Sequence, residues 1–346
     1  MSFRKIFFVL FIFCFIIFYY FYFNIYSRET QKVEEINFEV KQNETVLEFS
    51  ERLETENIIS DAWFFRKFLV WKKLDKKVKY GQYVVGSPIT VANIVEALGQ
   101  PNFNEKEVTV LPGSTVRDIA NYFEYYEMFQ AEEITELIGL STVDYRQEKN
   151  LPKPTNIYKK YKVLQDKPWY VSYDGYLAPE TIRVYEDADL EDILEKFISH
   201  RDSQFTEKMY EDIEKSGRTV HEILTMASIL EWEVKTFEDK KIVSDLFWRR
   251  YDENWALQAD STVHYLSGKS GSVWTTAEDR TIESLWNTYK YPGLPLSPIC
   301  NPNLDSIMAA IYPIKSSYNY FLTDGSGKVH YAVTNDEHNQ NRYNYL

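Results

Sequence analysis

Residues 219–233 read TVHEILTMASILEWE and begin the strongest helical pattern of the chain, which runs to about Arg250. Thr219 is followed three residues later by Glu222, a spacing that is typical of the capping box at a helix N-terminus. Apolar residues then recur at the spacing of one helical face. The stretch therefore predicts a capped helix with an apolar stripe.

Glu231 is predicted to be a carboxylate inside this apolar stripe. A helical wheel at 100° per residue places it within about 60° of three other side chains, namely Val220, Leu224 and Ala227. Burial removes hydration from a carboxylate and favours its protonated form, which can act as a general acid. The alternative is a structural Glu231 that pairs with a buried Arg or Lys, or that caps a loop. Glu233 is predicted to project roughly to the other side of the helix, with Glu222.

Three segments downstream combine amides, hydroxyls and aromatic rings. They read LQADSTVHY at residues 257–265, WNTY at residues 286–289 and PGLPLSPICNP at residues 292–302. The third is too rich in Pro for a helix or a central strand, and we expect an ordered or functional loop. A strand and a turn are predicted at residues 320–325. Amides bind sugar hydroxyl and N-acetyl groups, and rings stack on pyranose faces, so these segments around one carboxylate suit a sugar.

The composition argues against several other classes of protein. The chain has 346 residues, 39 Lys and Arg against 52 Asp and Glu, and a net charge of −13. This acidic balance argues against a nucleic-acid-binding role, since phosphates require a basic face. The two cysteines rule out a disulfide framework. Cys14 lies in an apolar run, and Cys300 is predicted to be a buried, inert thiol.

The sequence contains no recognisable metal or nucleotide motif. Residues 221–225 miss the zinc pattern of two histidines four positions apart, because Thr225 stands where the second His should be. Three other histidines lack the spacing of metal ligands, namely His264, His330 and His338. A P-loop and a dinucleotide fingerprint are also missing, so neither a metal nor a cofactor is expected.

The N-terminus is predicted to be a single membrane anchor. Residues 6–23 carry no charge, and as a helix they would span about 27 Å, close to one hydrocarbon core. Tyrosines cluster at the far end, as in an interfacial aromatic belt. A cleaved signal peptide is the alternative, but no small-residue cleavage site follows. Arg4 and Lys5 before the span nearly balance Arg28 and Lys32 after it, so charge does not decide the orientation. The large size of the C-terminal part predicts that the bulk of the chain lies outside.

The region after the anchor is predicted to consist of small α+β modules. Similar segments that begin with Thr-Val recur at residues 45–53, 90–98 and 115–123, and each is predicted to be a capped helix. Strands are predicted at residues 36–40 and 108–110. Chance repetition of a common helix start is the alternative. Residues 151–168, with three prolines, are predicted to be a linker or a long loop, and residues 190–205 a helix.

Residues 59–85 form a basic stretch with interspersed aromatic residues. Seven Lys and Arg are interleaved with aromatic side chains that include Trp63, Phe64, Phe65, Phe68 and Trp71. One interpretation is contact with an anionic membrane surface or polymer. The other, which the pattern alone favours, is an amphipathic helix with a solvated face.

Several motifs, in order, resemble those of the endolytic murein transglycosylases, the YceG-like family. They are LPGSTV (111–116), DGYLAPET (174–181), ASILEWE (227–233), LQADSTV (257–263), NTY (287–289), GLP (293–295), PICNP (298–302) and EHN (337–339). The resemblance covers nearly the whole chain. It implies an α+β protein with a cytoplasmic tip at residues 1–5, a transmembrane anchor at 6–26, a LysM-like module at 36–105 and a catalytic domain at 106–346.

The resemblance also implies an activity and its residues. The family's catalytic Glu falls on Glu231, which would protonate the glycosidic oxygen between N-acetylmuramic acid and N-acetylglucosamine inside peptidoglycan strands. The same group, now a base, would help the muramoyl C6 hydroxyl attack C1 and form a 1,6-anhydro end, without metal or cofactor. Candidate sugar-binding residues are Gln258, Asp260, Thr262, Asn287, Tyr289 and Asn301. The enzyme would act at the outer side of the cytoplasmic membrane, beside peptidoglycan synthases.

The sequence departs from the family's usual motifs at several positions. Asp174, Ala178 and Glu180 replace Glu, Phe and Asp, while Ala259 and Ser261 replace Ser and Pro, and Leu296 and Ser297 replace Pro and Gly in the Pro-rich loop. Two other functions stay open. One is a hydrolase in which a second carboxylate, such as Asp260, activates water. The other is a wall-binding protein without enzymatic activity, in which Glu231 is structural.

Overall fold

The computed structural model of the chain describes residues 3–41, 44–99, 105–156, 158–185, 188–268 and 275–346. The chain divides into two compact units. The N-terminal unit consists of Met1–Lys106 with Tyr185–Asp187, and the C-terminal unit of Glu107–Val184 with Ala188–Leu346. Both combine helices with small sheets, so the α+β class is confirmed. The finer boundaries, including the anchor at 6–26 and the LysM-like module at 36–105, stay predictions.

The first helix, α1 (Phe3–Tyr22), continues into a π-helical turn at Phe23–Ser27. Many of its described aromatic side chains are exposed, among them Phe11, Phe15 and Phe18. Within the described part of the chain, no helix combines the length and the apolar content that crossing a membrane requires.

The rest of the N-terminal unit packs helices on a two-stranded sheet. Its elements are β1 (Glu35–Val40), α2 (Val46–Thr55), α3 (Ala62–Trp71), β2 (Gly81–Gly86) and α4 (Val91–Gly99). β1 and β2 are antiparallel, with Phe38 opposite Tyr83. Alternate residues of β1 are buried, which confirms the predicted half-buried strand. The buried face meets Phe49 and Phe65 from the two intervening helices.

The three predicted Thr-Val helix starts are confirmed. They begin α2, α4 and α5 (Val116–Tyr125). In each case a threonine hydroxyl oxygen accepts a hydrogen bond from the backbone N–H three residues later, at Thr45, Thr90 and Thr115. Such a bond satisfies a backbone donor that the first helical turn leaves without a partner.

The C-terminal unit is mainly helical. Its further elements are β3 (Glu105–Val110), α6 (Ala131–Ile138), β4 (Glu180–Tyr185), α7 (Leu190–Ser203), α8 (Glu207–Lys215), α9 (Val220–Glu233), α10 (Phe237–Asp252), α11 (Asp260–Ser267), α12 (Leu304–Ile311), β5 (Tyr320–Thr323), β6 (Val329–Ala332) and α13 (Asn335–Tyr345). β3 pairs with β4, and β5 with β6 in an antiparallel hairpin. The helix predicted at residues 190–205 and the strand after residue 320 are confirmed as α7 and β5.

Helix α9 lies in the core of this unit. From Val220 to Leu230 nearly every side chain is buried, including the small polar ones of Thr225 and Ser228. Helices α8, α10, α11 and α12 pack against it. A helix that is apolar on all sides is buried on all sides. The predicted stripe of Val220, Leu224 and Ala227 is buried, but burial extends to the other faces of the helix, and only its first and last turns have partly accessible side chains.

The helical pattern predicted from residue 219 to about 250 forms two helices. α9 ends at Glu233, because Val234 is extended, with φ −144° and ψ 149°. The hydroxyl of Thr236 then caps α10 by accepting a hydrogen bond from the Asp239 backbone N–H. The break lets α10 pack back against the end of α9.

The two predicted loops are irregular but well packed. In residues 151–168, Tyr158, Val163 and Leu164 are buried in the core. In residues 292–302, Ile299 and Cys300 are buried, so the prediction of an ordered loop is confirmed. Burial raises the pKa of the Cys300 thiol well above its usual range, which agrees with an inert thiol.

Candidate active site

A cavity of about 700 Å³ opens around the C-terminal end of α9. The last turn of this helix lines it with Glu231, Trp232 and Glu233. Further walls come from the loop before α5, from α11 and from the β5–β6 turn, through residues such as Gly113, Asp260, His264 and Asp324. All of these residues belong to the C-terminal unit.

Glu231 is held by three hydrogen bonds on one carboxylate oxygen. Its Oε2 accepts them from the Lys240 Nζ at 3.1 Å, the Asn303 backbone N–H at 3.1 Å and the Ser306 hydroxyl at 2.5 Å. Among the described residues no donor reaches Oε1. The side chain is 9% exposed, and it lines the cavity. One oxygen is therefore fixed by the protein, while the other is available to a ligand.

The donors are brought together by two helices that pack on α9. Lys240 lies on the first turn of α10, and its side chain is 4% exposed. Asn303 caps α12, and its side-chain oxygen accepts from the Ser306 backbone N–H. The N-terminus of a helix favours a negative charge, as does a buried Lys. A buried Lys thus pairs with Glu231, as one sequence-based alternative expected, while the role of Glu231 stays a prediction.

Glu233 lines the same cavity but has opposite surroundings. Its Oε1 accepts a hydrogen bond from the Ser261 backbone N–H at 3.1 Å, at the start of α11. Burial, assisted by the negative charge of Asp260, raises the pKa of Glu233 to about 7. The hydrogen bonds from Ser261 and the positive charge of Arg250 act in the other direction. Glu233 is therefore a carboxyl group that keeps its proton to a higher pH than an ordinary glutamate.

Glu233 was predicted to leave the other side of the helix, and it does so, but it still lines the same cavity as Glu231. Two residues along a helix are about 200° apart, so Glu231 and Glu233 do leave opposite faces of α9. The cavity, however, surrounds the end of the helix, and Val234 and Lys235 beyond it also line the wall. Both faces of the last turn therefore reach the same space.

Two of the predicted sugar-binding residues lie together near the cavity. Asp260 lines it, and its Oδ1 accepts hydrogen bonds from the Tyr289 hydroxyl at 2.7 Å and from Arg280 at 3.4 Å. The Arg280 guanidinium also stacks 4.7 Å above the Tyr289 ring. The structure thus joins Asp260 and Tyr289 in one polar group beside Glu233.

The other four predicted sugar-binding residues lie in the loops that frame the cavity. Gln258 is exposed, with a positive φ of 54°, and its backbone N–H donates to Thr288. Thr262, Asn287 and Asn301 are buried. Their side chains bond to neighbouring backbone or threonine groups. The Asn301 amide accepts from the Gly175 and Leu177 N–H groups and donates to the Ser114 carbonyl. That these four residues contact sugar stays a prediction.

The wall opposite α11 depends on Gly113, which sequence reasoning quoted only as part of a motif. The Trp232 Nε1–H donates to the Gly113 carbonyl at 2.9 Å. Gly113 has a φ of +80°, and a Cβ at this position would lie 2.9 Å from the Trp232 Nε1. Only glycine fits both the conformation and the close approach. The motif therefore places a backbone segment against the indole next to Glu231.

Asp174, a departure from the family motif, is a buried structural carboxylate. It accepts hydrogen bonds from the Val116 backbone N–H and from three hydroxyls, those of Ser141, Ser172 and Tyr265. Burial raises the pKa of this carboxyl group above its ordinary value. Asp174 joins the N-terminus of α5 to α11, which together line the cavity.

The histidines do not form a metal centre in the described residues, where no cluster of three or more His, Cys, Asp or Glu could hold an ion. Burial lowers the pKa of His221 to about 4, so its ring is neutral. It contacts the Leu296 carbonyl and the Tyr176 hydroxyl. The His264 ring contacts the Thr275 hydroxyl, and that of His330 contacts Asp324.

Known proteins resemble the chain in sequence and in structure. Curated relatives from two species carry the name endolytic murein transglycosylase. That of Streptococcus pneumoniae D39 is 26% identical over 323 residues, which cover 87% of this chain and 57% of the relative. That of Bacillus subtilis 168 is 36% identical over 174 residues, which cover 50% of this chain and 48% of the relative. The chain thus spans about half the length of these relatives.

A crystal structure of a YceG-like protein from Listeria monocytogenes has the same fold. The TM-score is 0.57 at 28% sequence identity, over 89% of this chain and 99% of that one. The YceG-like family description matches residues 38–344, which include every residue of the cavity named above. The chain belongs to the YceG-like family.

Proposed function

We propose that this chain is an endolytic peptidoglycan lytic transglycosylase, which cleaves the bond between N-acetylmuramic acid and N-acetylglucosamine inside glycan strands. Family membership and the names of the relatives support this activity. The observation that carries the proposal is Glu231, a carboxylate in a large cavity with one oxygen fixed by three donors and the other oxygen left for a substrate.

Glu231 serves first as an acid. Three donors already occupy Oε2, so a proton on this carboxyl group sits on Oε1, which has no partner among the described residues. Oε1 delivers that proton to the glycosidic oxygen as the bond from C1 to this oxygen breaks. The Lys240 ammonium and the Ser306 hydroxyl then stabilise the carboxylate that is formed.

Glu231 next serves as a base. Its carboxylate accepts the proton of the muramoyl C6 hydroxyl while the C6 oxygen bonds to C1, which closes the 1,6-anhydro ring. The group returns to its protonated state, so atoms and protons balance without water. Asp260 and Tyr289 are the candidates for holding the sugar at the far side of the cavity, where a ring and a carboxylate meet.

The enzyme is proposed to work at the cell wall, anchored in the cytoplasmic membrane by the segment at residues 6–26. The charge-free run at residues 6–23 and the exposed aromatic side chains of α1 support the anchor. The catalytic domain then lies on the outer side, beside peptidoglycan synthases. The strand–helix–helix–strand order of the N-terminal unit supports the assignment of a small LysM-like module there.

Analysis of the reaction products tests the activity. The full chain, purified in detergent, is incubated with sacculi, and the soluble and residual glycans are examined by mass spectrometry. New 1,6-anhydromuramic ends are expected. New reducing ends would instead identify a hydrolase, and a lack of new ends beside a detectable interaction with sacculi would identify a binding protein.

A further inference from the structure

Helix α3 has two apolar faces, of which only one packs in the protein. Ala62, Phe65, Phe68 and Leu69 are buried in the core of the N-terminal unit. The opposite stripe consists of Trp63, Lys67, Val70 and Trp71, at the i, i+4, i+7 and i+8 spacing of one helical face. Trp63 is 50% exposed, Val70 56% and Trp71 68%. Large apolar side chains grouped on one exposed face mark an interaction surface.

This exposed stripe continues into the end of α1. The Phe64 ring lies 5.0 Å from that of Phe21, and the Phe68 ring lies 5.8 Å from that of Tyr26. Between the two helices lies a groove of about 300 Å³, whose wall is aromatic and aliphatic except for Lys67. The groove and the stripe of α3 form one surface, which we call the α1–α3 surface.

The surroundings of the α1–α3 surface are basic, in contrast to the chain as a whole. Residues 59–85 contain seven Lys and Arg against two Asp, although the chain has a net charge of −13. The Lys67 ammonium lies 5.7 Å above the Trp63 ring, and that of Lys72 lies 5.4 Å above the Trp71 ring. Two lysines thus lie over the faces of the exposed indoles, and Lys67, Lys72 and Lys73 are all exposed.

We propose that the α1–α3 surface lies in the headgroup region of an anionic lipid bilayer and holds the N-terminal unit against the membrane. Tryptophan is favoured at this depth, because its ring is apolar and its N–H is polar. Each lysine near an anionic surface adds about 1 kcal/mol of attraction. The surface adjoins the aromatic end of α1, where the proposed anchor would leave the bilayer. The inference therefore rests on the proposed anchoring, but not on the proposed catalytic activity.

A glycan strand is a less suitable occupant of this surface. Sugar hydroxyls require hydrogen-bonding partners, and the groove offers few polar groups in addition to Lys67 and the Tyr22 and Tyr26 hydroxyls. Exposed Val70 adds an aliphatic contact that a lipid matches better than a sugar. The basic rim would attract either anionic partner, so an experiment must separate the two.

Quenching of tryptophan fluorescence by brominated lipids tests the contact. The full chain is placed in nanodiscs of phosphatidylglycerol with brominated or ordinary acyl chains, and emission is compared. The chain has eight tryptophans, and the N-terminal unit contains only Trp63 and Trp71. Because α1 contains no Trp, the anchor itself contributes no tryptophan emission. Brominated lipid is expected to quench up to about a quarter of the emission, since interfacial indoles lie within reach of the acyl chains.

The double variant Trp63→Phe with Trp71→Phe should lose this quenching, while its circular dichroism stays unchanged. A matched control, Trp169→Phe with Trp255→Phe, replaces two exposed tryptophans of the C-terminal unit and should keep the quenching. Replacing Lys67, Lys72 and Lys73 by Gln should reduce quenching in the anionic discs. Equal quenching in wild type and the Trp63/Trp71 variant would overturn the proposal.

Two further outcomes separate this inference from the catalytic proposal and from glycan binding by the same surface. If the chain elutes apart from the discs, the anchoring has failed, and the surface with it, whereas release of anhydro-muropeptides in detergent would still support the catalytic proposal. If the Trp63/Trp71 variant keeps its lipid quenching but binds purified glycan strands several-fold more weakly, the surface recognises glycan, and the lipid assignment is wrong.

Discussion

Two carboxyl groups leave the last turn of α9 and enter the same cavity, but they lie in opposite environments. Glu231 accepts hydrogen bonds from a lysine, a backbone N–H and a hydroxyl. Glu233 accepts from the start of α11 and is buried near a second negative charge, which raises its pKa to about 7. One side of the cavity thus stabilises a negative charge, and the other stabilises a proton.

In the proposed mechanism, this difference gives each side of the cavity a separate role. A group that must give up a proton and take another needs a stabilised carboxylate, and Glu231 has one. In the proposed mechanism the charge of Glu231 is reformed in each cycle, and the raised pKa of Glu233 limits further negative charge in the site. The four predictions that follow test this division, from the largest expected effect to the smallest.

Replacing Glu231 by Gln should abolish the reaction. The amide keeps the size and an oxygen acceptor for Ser306 and Asn303, but it cannot transfer a proton. General acid catalysis contributes about 10²–10⁴-fold, and here one group serves as acid and base, so the loss should lie at or beyond the upper end. Release of anhydro-muropeptides from sacculi measures the effect.

The matched control for this variant is Glu238→Gln, on the first turn of α10, where the side chain is 68% exposed. It should retain activity. The Glu231 variant should fold but unfold at a lower temperature than wild type, because Lys240 loses its charged partner. A folded Glu231→Gln enzyme within about tenfold of wild type, less than a general acid contributes, would remove Glu231 from the mechanism.

Replacing Lys240 by Met should weaken catalysis without abolishing it. The substitution keeps much of the length of the side chain but removes the ammonium that donates to the Glu231 Oε2. A hydrogen bond to a charged group is worth about 1.5–3 kcal/mol, so a loss of about 10- to 100-fold is expected. Lys241→Met, whose ammonium pairs with Glu238 instead, is the control. If both variants have wild-type rates, stabilisation of the carboxylate by Lys240 is not part of catalysis.

Replacing Glu233 by Gln should change the pH dependence of stability more than the rate. The native pKa of about 7 lies above the ordinary 4.5, so the folded state binds more protons than the unfolded state between these values. Wild type therefore loses stability as the pH rises from about 4.5 to 7, by up to about 3 kcal/mol if the whole shift is realised. Gln mimics the protonated group and has no such loss.

The measurement is the urea midpoint of both proteins between pH 4 and pH 8. The midpoint of the Gln variant should rise relative to that of wild type across the window, while its activity at pH 6 stays within about tenfold, less than expected for loss of a general acid. A constant difference between the two midpoints would show that Glu233 has the same charge in both states. A Glu233→Gln enzyme as inactive as Glu231→Gln would assign the role of general acid to Glu233 instead of Glu231.

The sequence allowed good predictions wherever a few neighbouring residues decide the structure. The caps at Thr45, Thr115 and Thr219 depend on contacts three residues apart, and all three were predicted. The ordered Pro-rich loop followed from residues that exclude a helix. The helical wheel identified Glu231, although it predicted apolar surroundings where the structure has polar partners. The family motif led to the same residue independently.

The partners of Glu231 could not be predicted, because they depend on how helices turn and pack. Lys240 reaches Glu231 because α9 ends before Val234 and α10 turns back, whereas the sequence pattern predicted one continuous helix. Ser306 comes from a helix 75 residues further along the chain. The raised pKa of Glu233 depends on burial by α11, which no local spacing reports. Tertiary packing, which is invisible in one sequence, thus set the difference between the two carboxyl groups.

Replacing Asp260 by Asn should have the smallest effect on activity and stability, and it tests how much a neighbouring charge contributes to the raised pKa of Glu233. The negative charge of Asp260 contributes to the raised pKa of Glu233, but burial is the larger cause. The variant should therefore move the upper limit of the stability window of Glu233, near pH 7, only modestly towards lower pH. Asn keeps an oxygen that can accept from the Tyr289 hydroxyl, and the exposed pair with Arg280 is worth little. Activity should fall only a few-fold, as expected when one contact to a sugar weakens.

The same variant separates the two enzymatic mechanisms. In a hydrolase that uses Asp260 to activate water, the carboxylate is the base, and Asn should cost at least about 10²-fold. In the transglycosylase no such base is needed, because Glu231 itself receives the proton of the C6 hydroxyl. The test compares rates of product release by Asp260→Asn and by Tyr289→Phe, which removes the hydroxyl that donates to Asp260. Similar few-fold losses in both variants would place Asp260 beside the sugar. A large loss in Asp260→Asn alone would identify Asp260 as the second catalytic carboxylate. Glu231 would then no longer account for both proton transfers.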